Sequence, residues 1–200
     1  RFHPWGGGIR ELCERGFLCG MVSEEKAFRL CPAFTPMEEQ DALLEQTRRY
    51  VTNYGPASIR DAAYYFDTSQ AEIKKRLARL PVEVAECEGQ RVFSLHSGRM
   101  PEQAIPDCLL LAGFDPLVLG YEKKQSIFLP QEYLRGIFSL SGIVMPPVLL
   151  HGSAAGRWKH SGKRLLITQF RPFSQEERGF AEAAAAQLWG EAVQPVFQDA

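Results

Sequence analysis

Four cations crowd one short stretch of the chain, Gly156-Arg157-Trp158-Lys159-His160-Ser161-Gly162-Lys163-Arg164. The Ser-Gly pair is a tight-turn signal between two apolar-polar runs, so the stretch predicts a β-hairpin. Cations at a hairpin tip neutralise phosphates, and each phosphate so neutralised releases counterions and makes the affinity salt-dependent. Binding is therefore the stronger reading for Arg157, Lys159, Lys163 and Arg164. Trp158 is read first as a core residue, since strand tryptophans bury readily, and second as a wedge or stacking surface for a base.

The hairpin lies in a longer electropositive segment. Between Glu132 and Glu176 there is no acidic residue, while Arg135, Arg157, Lys159, Lys163, Arg164 and Arg171 all fall there. The net charge of the whole chain is −1. The protein is thus two-faced, with a +6 segment set against an acidic remainder, rather than neutral.

A second basic patch sits further upstream. If Ile73, Leu77 and Leu80 face inward on a helix, Ala71, Lys74, Lys75, Ala78 and Arg79 turn outward. Gln70 lies at the N-terminal end, where a groove-reading helix makes its base contacts, and Arg91 is placed to meet a phosphate. The competing reading is an ordinary solvated face, because Glu72, Glu83, Glu86 and Glu88 nearby repel phosphate. The two stand even. Cys13, Cys19, Cys31, Cys87 and Cys108 form no C-x-x-C pair and have no histidine at zinc spacing, so they read as reduced thiols and no metal site is expected. His3, His96, His151 and His160 are scattered, and no nucleophile-base pair is legible.

These residues need elements to hold them. Thr35-Pro36-Met37-Glu38 predicts a capping box, followed by a helix that Gly55-Pro56 stops. Ser58-Ile59-Arg60-Asp61 opens a second helix, and Ser69-Gln70-Ala71-Glu72 is a capping box for a third that ends before Pro81. Val82 to Glu86 and Arg91 to Leu95 alternate around a turn, predicting a hairpin. Three helices and a hairpin make a winged helix-turn-helix, with the wing at Glu88 to Arg91. The first 34 residues read as the end of a preceding copy: a helix over Ile9 to Arg15, then short strands over Phe17 to Val22 and Lys26 to Leu30.

Residues 98–106 read as a linker. Beyond them Cys108 to Ala112, Leu117 to Tyr121, Ile143 to Leu150, Ala155 to Lys159 and Leu165 to Phe170 are strand candidates. A capping box at Ser174-Gln175-Glu176-Glu177 and the stripe Phe180, Ala184 and Leu188 predict a closing helix. The expected fold is α+β: tandem winged helix-turn-helix units, the first truncated, over 1–34 and 35–97, then a small antiparallel β-barrel with a C-terminal helix over 107–200. With 45% hydrophobic and 24% charged residues the composition is that of a globular protein, and disorder is excluded. No apolar stretch reaches the ~20 residues of a membrane helix. A start at Arg1 rather than Met reads as a fragment.

Gly113-Phe114-Asp115-Pro116-Leu117-Val118-Leu119-Gly120-Tyr121, Gly142-Ile143-Val144-Met145-Pro146-Pro147, Val148-Leu149-Leu150-His151-Gly152 and Gly156-Arg157-Trp158-Lys159 together resemble the winged-helix DNA glycosylases that unhook interstrand crosslinks. The resemblance implies tandem winged helices before a small β-barrel, one of whose hairpins lies against DNA near the lesion. Asp115, Tyr121 and Trp158 match family positions with no chemical role attached. The family's catalytic motif, a glutamine followed two residues later by glutamine or aspartate, has no counterpart here, so no catalytic residue is carried over. The expected function is the DNA-binding portion of a repair glycosylase that excises alkylated or crosslinked bases. The alternative is a non-enzymatic winged-helix DNA-binding or regulatory protein. The expected partner is double-stranded DNA, with no cofactor, no metal and no membrane, and the chain reads as a cytoplasmic monomer.

Overall fold

The computed structural model describes residues 7–87, 89–95, 105–162, 164–190 and 193–200. Lys163, Glu88, His96 and most of the linker therefore lie outside the described residues. The chain divides into two compact units, Arg1–Ala42 and Leu43–Ala200.

The first unit holds α1 (Gly7–Glu14), then the antiparallel pair β1 (Leu18–Gly20) and β2 (Phe28–Leu30), in register Cys19 to Arg29. Gly16 adopts φ +76° where the chain turns from α1 into β1, a conformation that costs glycine little. None of its described residues is buried.

The second unit begins within α2 (Glu39–Asn53) and continues through β3 (Ala57–Ser58), α3 (Ile59–Tyr65), α4 (Gln70–Leu77), β4 (Glu83–Cys87) and β5 (Gln90–Ser94). The three strands pair in the order β3-β5-β4. Each helix presents one apolar face, and Tyr50, Val51, Ala62, Ala63, Ile73, Leu77 and Phe93 meet in one core. The sequence signals for the helix starts are met to different degrees. At α3 the capping box is complete, with Ser58 Oγ accepting from the Asp61 N–H and Asp61 accepting from the Ser58 N–H. At α4 only half forms. Ser69 accepts from the Glu72 N–H, while the Glu72 carboxylate turns to Arg76 at 3.2 Å instead. At α2 the helix starts later than Thr35 predicts, at Glu39. Glu39 and Asp41 in its first turn complement the helix dipole there.

The remaining strands are β6 (Cys108–Leu110), β7 (Pro147–Leu150), β8 (Ser153–Ser161), β9 (Arg164–Gln169) and β10 (Gln194–Asp199), in the order β10-β9-β8-β7-β6. Between β6 and β7 lie two short α-helices, α5 (Pro116–Leu119) and α6 (Leu134–Ile137), with 3-10 turns at Lys123–Gln125 and Gln131–Tyr133, and between β9 and β10 the long α7 (Gln175–Trp189). Two expectations are corrected. Leu117 to Tyr121 is not a strand, because Asp115 caps the turn by accepting from the Leu117 N–H at 2.9 Å and Pro116 occupies the first helical position. The sheet is not purely antiparallel, because β10 runs parallel to β9. The crossover helix α7 makes that return possible, as a parallel connection requires.

The sheet is covered on both faces. On one side Val148, Leu150, Leu165 and Ile167 pack with Ala181 and Ala185 of α7. On the other, Leu149 and Ala154 pack with Leu129, Ile137, Phe138 and Val144. Among the described residues no strand pairing joins β6 to β10. No described helix is long and apolar enough to cross a membrane.

Candidate nucleic-acid interface

The geometry of the basic hairpin follows from strand register. β8 pairs with β9 through Trp158 to Ile167, Lys159 to Leu166, His160 to Leu165 and Ser161 to Arg164. Directly paired residues share a sheet face, and alternate residues do likewise. Trp158, His160, Leu165 and Ile167 therefore lie on one face, and Arg157, Lys159 and Arg164 on the other. A register shift in the β7/β8 pair sets this choice. Val148 pairs with Gly156 but Leu149 pairs with Ala154, so Ala155 is the extra residue of a bulge. Such an insertion flips every side chain beyond it. Without it, Trp158 would share the face of Ala154 instead of that of α7.

The three described cations differ. Lys159 and Arg164 are exposed, whereas Arg157 is half-buried and donates to the Gly136 carbonyl at 3.3 Å. Arg157 is thus partly committed to holding α6 against the sheet. Trp158 takes its place in the core. Its Nε1–H donates to the Leu111 carbonyl at 2.8 Å, and its ring meets Trp189 of α7 edge-on with centroids 5.2 Å apart. His160 stacks on the same Trp189, with rings 6° from parallel.

On α4 the outward set is as the helical spacing predicts. Gln70, Ala71, Lys74, Lys75, Ala78 and Arg79 are exposed, while Ile73 and Leu77 are buried. Arg76, which the spacing did not single out, is 8% exposed and pairs with Glu72. Lys75 approaches the same carboxylate at 3.9 Å. Lys74 of α4 and Arg91 of β5 line one open groove of about 280 Å³, together with Ile59, Leu77, Val82 and Phe93. The register also sets Arg91 directly across from Glu86. The groove between α4 and the hairpin is therefore basic at its lip, with a carboxylate beside it.

The two other singled-out positions hold the architecture. Asp115 caps α5. Tyr121 is buried, its hydroxyl donating to the Tyr54 carbonyl at 2.6 Å. Tyr50 mirrors it, donating to the Gly120 carbonyl at 2.7 Å, and the Glu122 N–H donates to Asp61 at 2.9 Å. These three bonds strap the 120–122 segment to the three-helix core. Burial holds both phenols protonated, with Tyr121 pushed up to about 12 and Tyr50 higher. Neither is ionised at neutral pH. Among the described residues no cluster of His, Cys, Asp and Glu is arranged to hold a metal ion.

The sequence pattern of the AlkZ-like DNA glycosylases matches residues 13–190. The chain belongs to the AlkZ-like DNA glycosylase family. It is 28% identical over 190 residues to an interstrand DNA cross-link repair glycosylase of Streptomyces sahachiroi, a match covering 87% of this chain and 50% of that protein. The solved structure of Streptomyces sahachiroi DNA glycosylase AlkZ superposes with a TM-score of 0.77 at 21% identity, over 98% of this chain and 58% of the other. The chain thus spans about half the length of the curated relative it matches, and it shares the fold of that part.

Proposed function

We propose that this chain is the DNA-gripping portion of a repair glycosylase that acts on alkylated or crosslinked bases in double-stranded DNA. The observation that carries the reading is the β8/β9 register, which gathers Arg157, Lys159 and Arg164 on one face while Trp158 and His160 are spent on α7. A face with clustered cations and its aromatics turned away suits a phosphate backbone rather than a base. Lys163, next to Arg164 in the sequence, is proposed to contact DNA with them.

We read α2 to β5 as a winged helix-turn-helix, supported by its element order and its β3-β5-β4 sheet. In it, Gln70, Lys74, Lys75 and Arg79 face the duplex and Arg91 is on the wing. The segment of α1, β1 and β2 is taken as the end of a preceding winged helix, and the five-stranded sheet with α7 as the counterpart of the family's barrel. The partner is double-stranded DNA and the chain acts as a monomer in the cytoplasm. The chemistry of base release, a polar group orienting water at C1′, needs no metal or cofactor. No glutamine of this chain stands in the family's catalytic spacing. Incubated with duplex DNA carrying an alkylated purine, the 200-residue chain should bind and leave the base attached, as read by chromatography of free base. Base release by this chain alone would contradict the assignment of a gripping rather than a cleaving role.

A further inference from the structure

A crevice of about 390 Å³ opens between α3, the segment from Phe114 to Lys124 and the turn from Leu134 to Val144. Its lining combines three aromatic rings, Tyr64, Phe114 and Phe138, with three cations, Lys123, Lys124 and Arg135. Its carboxylate, Glu122, is turned to the backbone, where it accepts from the Lys124 N–H at 3.1 Å. Lys123 spans the floor, its Nζ 4.4 Å from the centroid of Phe138 and 5.8 Å from that of Tyr64. Phe114 stands at the rim, 51% exposed, with φ +60°. A bulky residue rarely takes that conformation, and burial does not account for it. Its neighbours in the chain are confined: a Cβ at Gly113 would come within 3.0 Å of the Val144 carbonyl, and on the other side Asp115 and Pro116 start α5. The ring is thus held out of the core beside a cluster of positive charge.

An exposed ring fixed next to cations matches a nucleotide: a base that can stack, joined to phosphates that need neutralising. A paired base within a duplex hides both faces, whereas an unpaired one offers them. We propose that this crevice receives an unpaired nucleotide of bound DNA, its base against Phe114 and its flanking phosphates on Lys123, Lys124 and Arg135. The proposal rests on the DNA-binding reading above and adds a place where distorted DNA is told from intact duplex.

The test is fluorescence anisotropy of the 200-residue chain with two labelled duplexes, one fully paired and one carrying a single bulged nucleotide. The wild-type chain should bind the bulged duplex about tenfold tighter, a factor in the range of one base stacked on an aromatic ring. Phe114→Asn keeps a residue that tolerates positive φ and should bind both duplexes equally, at the wild-type affinity for the paired one. Phe114→Tyr should keep the preference. Lys124→Ser with Arg135→Ser, both at exposed positions, should weaken binding to the bulged duplex more than to the paired one, and decides the matter should Phe114→Asn fail to fold. Equal wild-type binding to the two duplexes, or a preference undiminished by loss of the ring or by loss of both cations, would overturn the proposal. Binding to neither duplex would overturn the DNA-binding reading on which it rests.

Discussion

At the scale of single residues, Trp158 decides how the basic hairpin is used. Its indole is partly buried, donates to the Leu111 carbonyl and packs on Trp189. Removing it deletes a large packed side chain and orphans that carbonyl, so Trp158→Ala should lower stability by about 3 to 5 kcal/mol in denaturant unfolding. A wedge into DNA would behave otherwise, leaving stability intact and weakening only binding to distorted duplexes. Two alternatives for this tryptophan were legible in the sequence, and the bulge at Ala155 that separates them was not, because nothing in Ser153-Ala154-Ala155-Gly156 marks an extra residue. Glu177 offers a residue-scale test of the fold. Arg171 at 2.5 Å and the Ser174 N–H hold its carboxylate at about 2, well below its ordinary range. A depressed carboxylate contributes stability above its unfolded value and loses it as the proton returns. Thermal unfolding followed from about pH 5 down to 2 should show a falling Tm, and Glu177→Gln should flatten that fall. An unchanged acid limb would contradict the pairing.

At the scale of elements, helices were more legible than strands. Ser58, Ser69 and Ser174 each cap the helix they announce, because capping chemistry is local and written within four residues. The run Leu117-Val118-Leu119 misled, since a short apolar run fits a strand or a helix turn and only Asp115-Pro116 before it arbitrates. Strand β10 was missed for the opposite reason. Pro195 within Gln194–Asp199 argues against a strand, yet proline is tolerated at the sheet edge that β10 occupies. Helix α4 carries its own prediction. Lys74 and Lys75 are exposed, and Lys75 lies 3.9 Å from Glu72, a surface ion pair of little consequence for stability. Lys74→Ala with Lys75→Ala should change stability by no more than ~0.5 kcal/mol and weaken duplex binding severalfold. Undiminished binding would leave this helix as a structural module.

At the scale of the whole molecule, the charge asymmetry and the fold point the same way. The acid-free segment from 133 to 175 supplies β7, β8 and β9. The strap of Tyr50, Tyr121 and Asp61 bonds ties the 120–122 segment to the three-helix core, so the second unit is held by polar contacts as well as apolar ones. What the sequence could not disclose is this strapping, since its partners lie 61 to 70 residues apart. The central claim is that the β8/β9 face grips DNA phosphates, and the dependence of duplex affinity on salt tests it most directly. The logarithm of the wild-type binding constant should fall linearly with the logarithm of salt concentration. Lys159→Ser with Arg164→Ser should make that slope shallower by about 0.9 for each phosphate left without its cation, or about 1.8 for the pair. An unchanged slope in a variant that still binds would show that this hairpin is not the DNA surface.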